Sequence, residues 1–244
     1  MPNQLPSPIS AILFDLDGTL RLSVPDAVDA VIIYLSELGI TLDLEARRRA
    51  HRFAHEYWAD RLRVEADLER LPPDEFWANY IRSQVQAMHV GVSLPDNVYQ
   101  AVSHRFASEY RPTDHLADCA PGLLAYLRER RVTLGLVSNR LHPLEETVQA
   151  LGLAGYFDFT LAAGEIGIWK PDGGIFTHAL ALAGNPPPAN TLYVGDNYFV
   201  DVLGASKAGL FPVLVDPLEV FPEAHETALV LRQLSDLQKY LEQT

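Results

Sequence analysis

The 244-residue chain is 48% hydrophobic and 21% charged, proportions of a globular protein with room for one large core, or a core carrying one inserted domain. Its 32 acidic against 19 basic residues leave a net charge of −13, which argues against nucleic acid as a partner, because phosphates must be met by a basic surface. The same charge does not exclude a small phosphate ester, since a local cation and one lysine reverse the field inside a single pocket. The lone cysteine, Cys119, has no internal disulfide partner, and its neighbours Asp118 and Ala120 offer no cation to activate it; a structural thiol in a reducing compartment is expected. No apolar run is long enough to cross a bilayer, and residues 1–6 contain no basic segment leading into an apolar one. The expectation is a cytoplasmic protein with no membrane partner.

The first element is a buried strand over residues 12–14, which ends in Asp15, then Asp17, Gly18 and Thr19. Alternate residues of a strand share a face, so the two carboxylates start from one side of the chain, and Gly18 permits the turn that follows. Paired carboxylates at the end of a buried strand repel each other and need a metal, a proton or a cation; an Asx-type turn is the plainer alternative. Four helical runs are then expected. Ser23 caps the first, which buries Val28, Val31, Ile32 and Leu35 and stops near Gly39. The second covers residues 44–68, the third runs from Pro73 through Tyr80 to Val85, and the fourth follows Pro95 through Val102 to Tyr110. No period-two segment interrupts them, so residues 21–118 read as an inserted helical domain.

From there strand and helix alternate, the pattern of a doubly wound sheet. Pro121 and Gly122 open a helix that leads into a strand over residues 132–137, ending in Ser138, Asn139 and Arg140. A short strand over 157–162 precedes the loop bearing Lys170 and Pro171, and a helix through Ile175, Phe176, Ala179 and Leu180 follows. Residues 186–188 form a stiff proline loop before the strand 191–194, which ends in Gly195, Asp196 and Asn197 with Asp201 close behind. A helix over 201–208, a strand over 213–215 and a final helix over 234–241 complete the chain. Ligands of an open parallel sheet bind beyond the carboxyl ends of its strands, so these segments converge on one crevice. Three carboxylates, a hydroxyl, an amide and one ammonium gathered there suit a divalent cation and an anionic substrate.

In order and spacing, Asp15-Leu16-Asp17-Gly18-Thr19, Ser138, Lys170-Pro171 and Gly195-Asp196 with Asp201 resemble the motifs of the haloacid dehalogenase superfamily, over about residues 9–240. The resemblance implies a doubly wound α/β core, residues 1–20 and 119–244, and a type 1 helical cap, residues 21–118, that closes over the core. By the same resemblance Asp15 is a nucleophile that forms an aspartyl-phosphate, and Asp17 the acid and base for the leaving oxygen and the attacking water. Mg²⁺ is then held by Asp15, the carbonyl of Asp17, and Asp196; Ser138 and Asn139 donate to the phosphoryl oxygens; Lys170 neutralises Asp15 and the transferring group. Asp201 either joins the metal through water or orients Lys170, and Thr19 is either a turn hydroxyl or orients Asp17.

The superfamily's dehalogenases lack an acid at the place of Asp17, and its phosphonate-cleaving members use a cap lysine that residues 21–118 do not contain. A phosphatase of small-metabolite monoesters is the expected activity. The run from Asp196 to Ala205 resembles that of phosphatases acting on nucleotides, sugar acids and phosphoglycolate. A phosphomutase and a catalytically silent binding protein stand as alternatives. Arg21 and Arg140 either meet an anionic leaving group or are ordinary surface arginines. His51, Arg52, His55 and Trp58 recur at helical spacing, either as the underside of the lid that chooses the substrate or as a partly buried amphipathic face, the reading preferred, and without a third ligand the histidine pair is not read as a zinc site. The partner is a small phosphorylated metabolite, and the protein itself a monomer or homodimer.

Overall fold

The computed structural model describes residues 4–88 and 94–243; the first three residues of the N-terminal stretch weighed above lie outside them. In chain order the elements are β1 (Ala11–Phe14), β2 (Arg21–Val24), α1 (Ala27–Glu37), α2 (Leu44–Ala59), α3 (Arg61–Arg70), α4 (Pro73–Met88), α5 (Asp96–Glu109) and β3 (Thr113–Leu116). They continue as α6 (Ala120–Glu129), β4 (Thr133–Ser138), α7 (Glu145–Ala150), β5 (Phe159–Ala162), α8 (Ala163–Ile166), α9 (Gly173–Leu182) and β6 (Thr191–Gly195). The last are α10 (Leu203–Lys207), β7 (Phe211–Val215), β8 (Leu229–Leu231) and α11 (Asp236–Leu241). The chain divides into two compact units, Met1–Leu22 with Asp114–Thr244, and Ser23–Thr113.

The first unit is an α/β fold on a six-stranded sheet in the order β5-β4-β1-β6-β7-β8, each neighbouring pair parallel. Every residue of β1 is buried, as a central parallel strand covered on both faces must be. Alternation sorts the side chains by face. Ile12, Phe14, Leu134, Leu136, Leu192 and Val194 pack with Leu124, Leu127 and Leu237 of α6 and α11. Leu13, Val137 and Tyr193 go to the other side, against Ile175, Phe176 and Ala179 of α9. Phe14 pairs with Leu136 on one flank and Val194 on the other; β1 stops there, β4 runs on to Ser138 and β6 to Gly195, which brings Asp15, Ser138 and Asp196 to the carboxyl edge of the sheet.

The helical unit has its own core, with Val31, Leu35, Ala50, Tyr57, Tyr80, Ile81, Val85 and Val102 buried together and the Tyr57 and Tyr80 rings 4.9 Å apart. Three expectations are corrected here. The inserted region, residues 21–118, is not purely helical: β2 and β3, which pair with each other, stand at its two ends and flank the helices. Ser23 belongs to β2, and the cap of α1 is Asp26, whose carboxylate accepts from the Asp29 N–H at 2.7 Å. The run over 44–68 breaks at Asp60, which caps α3 by accepting from the Arg63 N–H at 3.1 Å; an acid mid-run started a second helix. His55 is shielded, and its imidazole is pushed down to about 4 by burial and by His51. His51 faces Asp29 at 4.0 Å, in a half-buried group with Asp26.

Candidate active site

Asp15 follows β1 directly, and its N–H still donates to the Val194 carbonyl at 2.8 Å, so the sheet ladder holds it by the backbone. Its carboxylate is nearly fully buried and accepts from Lys170 Nζ at 2.5 Å. The same ammonium donates to Asp201 at 2.7 Å and to the Tyr193 hydroxyl at 2.9 Å, which engages all three of its N–H donors. The Tyr193 O–H in turn donates to the Val137 carbonyl at 3.0 Å. Burial alone would pull the lysine down, but Asp15 and Asp201 outweigh it and hold the ammonium well above the ordinary range. Burial also pushes the Tyr193 phenol well up, keeping it an O–H donor.

Lys170 is positioned from two directions. Asn139 clasps its peptide, accepting from the Lys170 N–H at 2.7 Å and donating to the Lys170 carbonyl at 3.0 Å. Immediately after it, Asp172 caps α9 by accepting from the Gly174 N–H at 2.7 Å. This differs from the part expected of Asn139: its amide serves the Lys170 backbone. Ser138 is buried at the tip of β4.

On the other side of Asp15, Asn197 accepts from Phe199 N at 3.0 Å and Val200 N at 3.3 Å, opening a π-helical turn over Tyr198–Val202 where an α-helix was expected from residue 201. That turn points Asp201 inward, where its second oxygen accepts from the Asn197 N–H at 3.0 Å. Of the two parts left open for Asp201, it makes the bond to Lys170 directly. Thr19 is corrected: its hydroxyl donates to Asp196 at 3.3 Å and not to Asp17.

Asp15, Asp196 and Asp201 each offer an oxygen within 4.8 Å of one another. Three carboxylates against one ammonium leave the group two negative charges in excess. Asp15 is pushed up to about 7 by burial and by Asp201 and Asp17 against the pull of Lys170, and Asp196 well above its ordinary value by burial, Asp15 and Asp201. A hard divalent cation relieves that excess, and all-oxygen donors are the set Mg²⁺ prefers. The turn passes close against the cluster: Gly18 has φ +87°, and a Cβ there would collide with the Asp196 carboxylate. The residues present fit the ion.

Asp17 stands apart from this cluster. Its carboxylate receives Arg140 Nε at 2.8 Å and Nη2 at 2.9 Å, a forked pair, and Arg21 Nη1 at 2.6 Å. Burial would raise it, but the two guanidiniums hold it below the usual carboxylate range. Arg21 also pairs with Asp114, and Arg140 Nη1 donates to Thr147 at 3.1 Å. Neither arginine is an unattached surface side chain. The residues not anticipated are Tyr193, Asp114 and Thr147. Tyr193 carried a signal, a phenol in an otherwise apolar strand, whose polar tip needs a partner once buried; the other two carried none.

Fold and site together define an α/β protein with a buried acid–lysine cluster on the carboxyl edge of its parallel sheet. Residues 9–209 match the haloacid dehalogenase-like hydrolase family, and the chain belongs to that family. It is 29% identical over 214 residues, 86% of each chain, to a ribulose-1,5-bisphosphate 5-phosphatase of Halopiger xanaduensis. It is 29% identical over 215 residues, 85% of this chain and 84% of the other, to a glyceraldehyde 3-phosphate phosphatase of Methanopyrus kandleri. Among solved structures, the L-2-haloacid dehalogenase RSc1362 superposes with a TM-score of 0.58 at 24% identity, covering 96% of this chain and 99% of that one; this likeness shows the fold alone. No helix among the described residues is long and apolar enough to cross a membrane.

Proposed function

We propose that the protein is a Mg²⁺-dependent phosphatase that hydrolyses a phosphate monoester of a small metabolite through an aspartyl-phosphate on Asp15. The observation that carries this reading is Asp15 itself: a buried carboxylate bonded to Lys170 at 2.5 Å, in a three-carboxylate cluster, with a second acid two residues on. The phosphatase names of relatives that align over most of the chain support it. Asp17 favours phosphoryl transfer over dehalogenation, because an alkoxide leaving group needs a proton and a halide does not.

A phosphate dianion repels an incoming carboxylate, so the site must supply positive charge where the bond forms. Mg²⁺ held by Asp15, the Asp17 carbonyl and Asp196 would neutralise the phosphoryl oxygens; the remaining chemistry belongs to the chain. Lys170, locked by three bonds, keeps its charge beside Asp15 and fixes the carboxylate for in-line attack. An Asp15 oxygen bonds to phosphorus as the ester oxygen departs, and Asp17, which takes up a proton from solvent on leaving the two guanidiniums, delivers it to that oxygen. Water then attacks the acyl phosphate, giving a proton to Asp17, and the phosphorus–Asp15 bond breaks to free phosphate and regenerate both acids. Ser138 and the backbone N–H of Asn139 donate to the phosphoryl oxygens.

The test is phosphate release from p-nitrophenyl phosphate with Mg²⁺ and with EDTA, for wild type and Asp15→Asn. Release that needs Mg²⁺ and falls to background in the variant is the expected result. Activity surviving in Asp15→Asn overturns the nucleophile.

A further inference from the structure

Two guanidiniums converge on one carboxylate at the rim of the site. Arg140 presents Nε and Nη2 to Asp17 as a planar fork, at 2.8 and 2.9 Å, and Arg21 adds Nη1 at 2.6 Å. Their other contacts are Asp114 for Arg21, and Thr147 at 3.1 Å for Arg140. The Arg140 side chain is 30% exposed and that of Arg21 22%, so both are reachable from solvent. This group is balanced, two cations against Asp17 and Asp114, only while Asp17 stays in the fork.

An acid that protonates the leaving oxygen must turn toward that oxygen, and Asp17 then quits both guanidiniums. Two arginines would be left facing Asp114 alone. Leaving half-buried cations without a partner is costly, and the planar fork accepts any carboxylate or phosphate in the place a carboxylate has just vacated. The acids of the inner cluster do not fill that place, because Asp15 and Asp201 are bound to Lys170. The transferring phosphoryl group is met at Asp15 by Lys170, so the further anion left to fill the fork is one carried by the leaving group.

We propose that Arg21 and Arg140 form a subsite for a second anion, so that the preferred substrates are phosphate monoesters whose alcohol carries a carboxylate or another phosphate. This rests on the phosphatase reading above. Asp17 holds the fork closed when no substrate is bound, and the substrate's second anion takes its place, releasing Asp17 to the leaving oxygen. Binding of the right substrate and readiness of the acid are thereby one event.

The experiment compares kcat/KM with Mg²⁺ for two matched pairs, 3-phosphoglycerate against glycerol 3-phosphate and fructose 1,6-bisphosphate against fructose 6-phosphate. p-Nitrophenyl phosphate serves as the reference ester. The full chain is assayed as wild type, Arg140→Gln, Arg140→Lys and Arg21→Gln, with thermal unfolding to verify folding. The expected result in wild type is a preference of at least about tenfold for the doubly anionic member of one pair, the yield of one charge-assisted hydrogen bond. The pair that shows it tells carboxylate from phosphate. The ratio shrinks toward one in Arg140→Gln and Arg21→Gln and is partly kept in Arg140→Lys. Equal values within both pairs in wild type overturn the inference, without need of any variant. So does a preference that survives undiminished in both Gln variants, or hydrolysis of p-nitrophenyl phosphate alone. Release from no ester at all overturns the phosphatase reading and this inference with it.

Discussion

Asp15 and Asp17 are two residues apart in the chain, yet their carboxylates sit in opposite surroundings. Asp15 is nearly fully buried among Asp196, Asp201 and one lysine, an arrangement short of positive charge that pushes it up to about 7. Asp17 has a side chain 41% exposed and two arginines around it, which hold it below its ordinary value. The inner cluster sets three carboxylates against one ammonium; the outer one is balanced as it stands. Burial sets the stakes in each case, because charge interactions strengthen and unpaired charges become costly where water is excluded.

Removing charge from the two clusters should therefore have unequal consequences. Lys170→Met in EDTA at neutral pH leaves three carboxylates without their ammonium, and we expect a loss of about 3–5 kcal/mol in urea unfolding, the usual result of breaking a buried pair. A loss under 1 kcal/mol would mean that the carboxylates had shed their charge another way, and the contrast between the clusters would fail.

Adding Mg²⁺ should stabilise the inner cluster alone. At a concentration a hundred times its dissociation constant the gain is about 2.7 kcal/mol, visible as a raised melting temperature in wild type and absent in Asp196→Asn. An equal rise in that variant would place the ion elsewhere.

Tyr193→Phe sharpens the comparison within the inner cluster, since it leaves one Lys170 donor and the Val137 carbonyl without the phenol. We expect about 1–3 kcal/mol of lost stability, the penalty of unsatisfied buried polar groups. The smallest effect belongs to the outer cluster: Asp114→Asn breaks a half-exposed pair with Arg21 and should change the unfolding midpoint by less than about 1 kcal/mol. A cost matching that of Lys170→Met would show the outer cluster to be as tightly built as the inner.

What could be read in the chain followed locality. The apolar strand before Asp15, the one before Ser138 and the one before Asp196 each stand within a few residues of the group they present, so strand, face and exit were legible together. The helical unit was legible as helices for the same reason, but not the split at Asp60, where one acid mid-run turned a continuous pattern into a cap. β2 and β3 escaped notice because each is four residues long and finds its hydrogen bonds across some ninety residues of intervening chain. Asn139 and Thr19 were read as site residues without their partners, because those partners, the Lys170 peptide and Asp196, lie far along the chain.

Residue order by itself determined the class of fold and which groups stand at the ends of its apolar strands: Asp15, Ser138 and Asp196. It did so because periodicity, turn chemistry and strand ends are short-range properties. Tertiary structure alone decided which charge meets which. Arg140 reaches Asp17 across 123 residues, Lys170 reaches Asp15 across 155, and Thr19 reaches Asp196 across 177. Such pairings depend on register between strands and on the direction of buried side chains, which no local pattern encodes, and they divide two aspartates separated by one residue between a lysine–carboxylate cluster and an arginine fork.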